Sequence, residues 1–87
     1  MSGNEVTKDE IFGVVRGHIL EILTKLAPAD VRSDVSMKTL GANSIDRVEV
    51  IVKSMADLAL KIPLMEFSNV SNIGELVDVF YEKMQVK

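Results

Sequence analysis

Three stretches of the chain repeat apolar residues every three or four positions, and none alternates with the two-residue period of a strand. That periodicity restricts the chain to helices packed on one another. Ile11, Val15, Ile19, Ile22, Leu23 and Leu26 mark the first stretch. Ile45, Val48, Val52, Met55 and Ala59 mark the second, and Ile73, Leu76, Val77, Phe80 and Met84 the third. With 87 residues there is room for one small domain, so residues 1–87 are expected to form one. A domain of this size buries only about 60% of its unfolded surface, so these stripes must supply most of the core. Disulfides, thiolate metal sites and cysteine nucleophiles are excluded, because the chain has no cysteine. The expectation is an all-α, four-helix bundle with three main helices, one short helix and a long first loop.

Local signals set the boundaries. Thr7-Lys8-Asp9-Glu10 has the form of a capping box and opens a helix from Lys8 to about Leu26, with Pro28 as the stop. Gly13 and Gly17 each weaken an exposed helix by ~1 kcal/mol against alanine, and suggest close approach of another helix. Residues 1–6 read as a flexible leader and 85–87 as a frayed tail. Residues 27–43 form a connection longer than the ~12–15 residues usual for a structureless loop. Val31, Val35, Met37 and Leu40 within it should pack over the core, with a short turn of helix. Asn43 is suited to cap a second helix running from Ser44 to Leu58 or Ala59, and Asp46 adds charge to its first turn. Ala59–Pro63 is a connector, because the residue before a proline is disfavoured in a helix. Leu64–Ser68 is expected to make one short helical turn. Asn72 with Glu75, or Ser71 in its place, opens a last helix to about Met84.

Composition removes several functions. The net charge of -3 and the scattered Lys and Arg argue against nucleic acid. No stretch approaches the ~20 apolar residues of a membrane span, and the first residues lack a signal-peptide pattern, so a cytoplasmic protein is expected. Asp46, Glu49 and Asp57 are too dispersed for a metal site, and no calcium-loop pattern occurs. His18 is the only histidine, has no evident partner, and reads as a surface or boundary residue. The methionines read mostly as core filler.

What remains is the stretch from Leu40 to Val50. A loop ends at Gly41, and Ser44 follows at the first turn of a helix. Free backbone N–H groups and the positive end of the helix dipole favour a phosphate there. Spacing alone leaves Ser44 either as a cap-region serine or as a site of phosphate attachment. It does not make Ser44 a nucleophilic catalyst. His18 lies in another helix, Lys53 is out of reach further along the same one, and no glycine-serine-glycine elbow is present. The second helix is also apolar over more than one stripe, which implies a second contact surface within the fold or with a partner.

Leu40-Gly41-Ala42-Asn43-Ser44-Ile45-Asp46-Arg47-Val48-Glu49-Val50 resembles the hallmark of acyl carrier proteins, and the likeness extends over roughly residues 7–85. The resemblance implies a four-helix bundle with 4′-phosphopantetheine attached covalently to Ser44, supplied from coenzyme A by a phosphopantetheinyl transferase. Acyl groups then ride as thioesters on the arm. It places Ile45, Val48, Glu49 and Val52 beside the arm, facing partner enzymes, and Val50, Ile51, Ser54 and Leu58 inward. Asn43, Asp46, Arg47 and Met55 complete the expected docking set. Periodicity alone would instead put Ile45, Val48 and Val52 in the core.

The sequence departs from the general pattern at Asn43, Ile45 and Met37, and in the weakly charged Lys53–Asp57 run. With Leu60-Lys61-Ile62-Pro63-Leu64-Met65-Glu66-Phe67, these features look closer to the stand-alone carriers of bacterial polyketide β-branching cassettes. That likeness implies a monomeric carrier of malonyl, loaded by an acyltransferase and decarboxylated to acetyl by a ketosynthase. The acetyl group would then pass to an enzyme resembling hydroxymethylglutaryl (HMG) synthase. A general fatty-acid or polyketide carrier is the alternative. A helical interaction module without modification is the alternative of another class.

Overall fold

The computed structural model describes residues 6–85 and contains α1 (Lys8–Ile22), α2 (Ser44–Leu58) and α3 (Ile73–Gln85). Pro28–Asp30 and Leu64–Phe67 each form a 3₁₀ turn, and no strand occurs among the described residues. The second of these turns is the short helix of the bundle. Helix α1 packs against both α2 and α3, and the Leu64–Phe67 turn leans on α3.

The expected capping box starts α1. Thr7 Oγ1 accepts from the Glu10 N–H at 3.1 Å, and Glu10 Oε1 accepts from the Thr7 N–H at 2.9 Å. Val6, placed by sequence in the leader, is instead half-buried against the core, at the position from which a hydrophobic staple meets Ile11. The rest of the leader, and the tail beyond Gln85, lie outside the described residues. Helix α1 stops at Ile22, although its apolar spacing continues to Leu26. Leu23 leaves the helical region while its N–H still reaches the Ile19 carbonyl at 2.7 Å. Leu23 and Leu26 stay half-buried against the core, so the stripe outruns the helix because burial continues after the helix ends.

Gly13 and Gly17 do not mark a close helix contact. A Cβ added at either meets nothing within 4 Å. The opposite mismatch ends α2, where Ala59 adopts the left-handed conformation with φ 57°. Alanine is strained there and glycine is not. Gly17→Ala and Ala59→Gly should therefore each stabilise the fold by about 0.5–1 kcal/mol, read as a rise in the urea midpoint.

Ile11, Val15 and Ile19 of α1 are fully buried and share the core with Ile73, Leu76 and Phe80 of α3. Phe67 brings the second 3₁₀ turn onto α3, its ring 5.3 Å from that of Phe80 and inclined by 55°. Helix α2 contributes Val50, Ile51 and Ser54. The long first loop is not loose. It buries Val31, Met37 and Ala42, and its backbone closes the start of α3. The Ser33 carbonyl accepts from the Gly74 N–H at 2.8 Å, and the Val35 carbonyl from the Ile73 N–H at 2.9 Å. These loop carbonyls serve N–H groups that have no partner inside the helix. A Cβ at position 74 would stand 3.1 Å from the Ser33 oxygen, so glycine lets the two backbones approach. Asn72 caps α3 through its Oδ1, which accepts from the Glu75 N–H at 2.8 Å. The Glu75 carboxylate turns back to the Ser71 N–H at 2.7 Å, one residue earlier than a capping box requires.

His18 does have partners. Its Nε2 lies 2.6 Å from Asp57 Oδ2 across the α1–α2 contact, and its Nδ1 lies 3.0 Å from Glu21 Oε1. Burial lowers the His18 pKa, but the two carboxylates together outweigh it and hold the pKa above 6.5. The charged imidazolium therefore binds its proton more tightly in the folded chain than in the unfolded one. This stabilisation is complete below about pH 6.5 and fades as pH rises through the raised folded value. Denaturant midpoints should fall as pH rises from about 6.5 through the raised folded value, and Asp57→Asn should flatten that fall.

Candidate functional site

Ser44 reaches the surface through a wound turn. The Thr39 N–H donates to Ser36 Oγ at 3.0 Å, the Gly41 N–H to the Lys38 carbonyl at 3.0 Å, and the Ala42 N–H to the Met37 carbonyl at 3.0 Å. Gly41, at φ 103°, makes the reversal that a residue with a Cβ resists. Buried Met37 and Ala42 anchor the turn below. The chain then rises at Asn43, and Ser44 is the exposed first residue of α2.

Asn43 and Asp46 lock that helix end. The Asp46 N–H donates to Asn43 Oδ1 at 2.7 Å, and the Asn43 N–H to Asp46 Oδ2 at 3.1 Å. Asparagine thus supplies the cap of α2. The Arg47 N–H is bonded to the Asn43 carbonyl at 3.0 Å. The N–H groups of Ser44 and Ile45 have no acceptor among the described residues. An exposed hydroxyl, two free N–H donors and the positive helix end make a donor set that fits a phosphate on Ser44. Arg47, half-buried one turn along, directs Nη2 to 3.3 Å from Ser44 Oγ.

Beyond Ser44, α2 divides cleanly. Ile45 is 76% exposed, Val48 43% and Val52 47%, whereas Val50 is 1% exposed, Ile51 8% and Ser54 0%. Periodicity alone misplaces Ile45, Val48 and Val52. The α1-facing side of the helix is already occupied by Val50, Ile51 and Ser54, so the second apolar stripe turns to solvent. With Ser44, Glu49 and Lys53, the exposed residues form a shallow apolar groove. Lys53 Nζ lies 3.3 Å from Glu49 Oε2, so the two flanking charges offset each other. Met55, also in the expected docking set, is partly engaged within the fold. It is half-buried, and its sulfur accepts from the Ile62 N–H at 3.3 Å. Leu58 is also half-buried.

Two exposed apolar residues escaped the sequence reading: Leu64 at 46% and Met65 at 75%. The available signal was the short Leu64–Phe67 turn, which spends its burial on Phe67 and leaves its first two side chains outside. Among the described residues, no group of His, Asp or Glu is arranged to hold a metal ion, and no helix is long and apolar enough to cross a membrane.

The comparisons with known proteins agree with this geometry. The phosphopantetheine attachment site family matches residues 14–80. The polyketide biosynthesis acyl-carrier-protein AcpK of Bacillus subtilis (strain 168) is 44% identical over 78 residues, covering 90% of this chain and 95% of AcpK. The fold also matches a chain in the crystal structure of the curacin biosynthetic pathway HMG synthase in complex with acetyl donor-ACP, with a TM-score of 0.82 and 34% identity. That match covers 88% of this chain and 99% of the other, so the matched molecule is of carrier size. An exposed serine on a capped helix end, within a matched attachment domain and without catalytic partners, has one consistent interpretation: the chain belongs to the acyl carrier proteins of the phosphopantetheine attachment family, which carry for separate enzymes and are not themselves catalytic.

Proposed function

We propose that Ser44 is the attachment residue, and that the chain serves polyketide β-branching by donating an acyl group, acetyl derived from malonyl, to an HMG-synthase-like enzyme. The observation that carries the first half is the exposed Ser44 hydroxyl beside two unpartnered N–H donors at the start of α2. Ser44 Oγ is accessible to attack the phosphorus of coenzyme A that bears the pantetheine, losing its proton as the bond to the nucleotide breaks. The N–H groups of Ser44 and Ile45 would then face the new phosphodiester. The arm supplies the thiol that this cysteine-free chain lacks. Tethering raises the effective concentration of the cargo at each partner in turn.

The groove at Ile45, Val48 and Val52 supports the second half. Its flanking charges are paired, so it suits an apolar dedicated partner better than a basic general one. The likeness to AcpK and to the carrier bound to HMG synthase points the same way. An acyltransferase, a decarboxylating ketosynthase and a phosphopantetheinyl transferase are the other partners this role requires.

Incubation with coenzyme A and a broad-specificity transferase, followed by intact mass, tests the attachment. A gain of one phosphopantetheine is expected. No gain by a folded chain would favour an unmodified interaction module. The acetyl-loaded protein should then serve an HMG-synthase-like enzyme better than a fatty-acid ketosynthase. Equal use of both would point to a general carrier.

A further inference from the structure

Arg47 is not explained by the docking groove. It sits in the first turn of α2, one turn after Ser44 and on the other side of it from Val48, as the 100° step of the helix dictates. Its side chain is half-buried along a cleft formed with Met37 and Lys38 of the first loop and with Val70 and Ser71 before α3. The stem is therefore held by packing, while Nη2 reaches 3.3 Å from Ser44 Oγ. Arg47 makes no ion pair among the described residues, whereas Lys53, the other cation on α2, is paired with Glu49. The adjacent carboxylate, Asp46, is committed to the Asn43 N–H.

We propose that Arg47 is a positioning residue that clamps the phosphodiester of the arm and sets the side of α2 from which the arm departs. This inference rests on Ser44 being the attachment residue. A phosphodiester on Ser44 Oγ places an anion where the guanidinium already points, and Arg is the side chain whose planar donor fork best matches phosphate oxygens. Held on the Arg47 side, the phosphate leaves Ile45, Val48 and Val52 uncovered for a partner. The cleft supplies a fixed mount for the cation, and Lys38 on its rim adds a second positive charge. A phosphate anchored only by the helix end would lack this directional bias.

The test uses the full-length chain in its apo and holo forms, with intact mass establishing the arm before anything else is read. In the wild-type protein, conversion from apo to holo should shift the Arg47 side-chain ¹⁵N–¹H resonances and slow their exchange with water. Arg47→Gln, brought to the same mass, should move the ³¹P resonance of the arm and increase its relaxation-detected mobility. Arg47→Lys should restore the salt sensitivity of the ³¹P resonance up to about 0.5 M salt, but not the restricted mobility, because it keeps the charge without the fork. A holo protein whose Arg47 resonances match those of the apo form overturns the clamp, as does a ³¹P signal identical in the wild type and Arg47→Gln. No mass gain on the wild type refutes the attachment reading instead, so the two failures are distinct. If Arg47→Gln does not fold, the wild-type apo-to-holo comparison decides alone.

Discussion

Ser44→Ala should fold as the wild-type chain does and gain no mass on incubation with coenzyme A and transferase. The two halves of this result have separate causes. Ser44 is the first residue of α2 and not its cap. The capping bonds belong to Asn43 and Asp46, and neither uses the Ser44 side chain. The hydroxyl is exposed, and its one contact is the 3.3 Å approach of Arg47. Alanine is a good helix former, so the melting transition should stay within about 0.5 kcal/mol of the wild type. The loss of loading should be complete, because among the described residues no other hydroxyl stands at the start of α2. Ser36 and Ser71 are nearby in the fold, but Ser36 Oγ is engaged with Thr39 and neither serine begins a long helix. A residual mass gain in Ser44→Ala would place the arm elsewhere.

Val48→Asp should impair transfer to the dedicated partner while scarcely changing the melting temperature. Val48 is 43% exposed and lines the groove next to Ser44. In the free protein a carboxylate there stays hydrated. In a docked complex it is desolvated without a partner, at a cost of roughly 3–5 kcal/mol. Transfer should therefore fall by roughly a hundredfold to a few thousandfold at limiting carrier concentration. Val50→Asp provides the internal contrast, because the same change two positions along falls on a side chain 1% exposed. There the uncompensated charge sits in the core, and the loss of roughly 3–5 kcal/mol is a large share of a small domain's total stability. If Val48→Asp unfolds the chain as Val50→Asp does, the groove is part of the core and not a docking face.

The features legible in the sequence were those with local causes. The Thr7–Glu10 box, the Asn43 cap and the Gly41 reversal each involve neighbours within a few positions, and each stands where the residues placed it. The place of Ser44 at the start of α2 was legible for the same reason. Features that depend on distant chain segments were not. Nothing near His18 announces Asp57, 39 positions away. Nothing near Gly13 or Gly17 reveals that no helix approaches them, whereas Gly74 meets the Ser33 backbone. The periodicity of α2 was read correctly as double-sided, but hydrophobicity alone could not say which side α1 would cover. The family resemblance supplied that orientation, and the exposures of Ile45, Val48 and Val52 follow it. Met55 fits neither stripe fully, because its flexible side chain turns its sulfur to a backbone N–H in the connector.

The bonds from Ser33 and Val35 to the start of α3 make the first loop a clasp that joins the two halves of the chain. The opening turn of α3 is complete only when a segment from before α2 has arrived, which ties the end of folding to a contact distant in sequence. Amide exchange at Ile73 and Gly74 thus becomes a gauge of whether the clasp is shut, independent of fraying elsewhere in α3. The same loop runs on through Met37 and Gly41 into Ser44, so the serine is held by a strap fastened at both ends. A protease cut within that strap would leave every helix covalently intact and yet unfasten the turn that leads into Ser44.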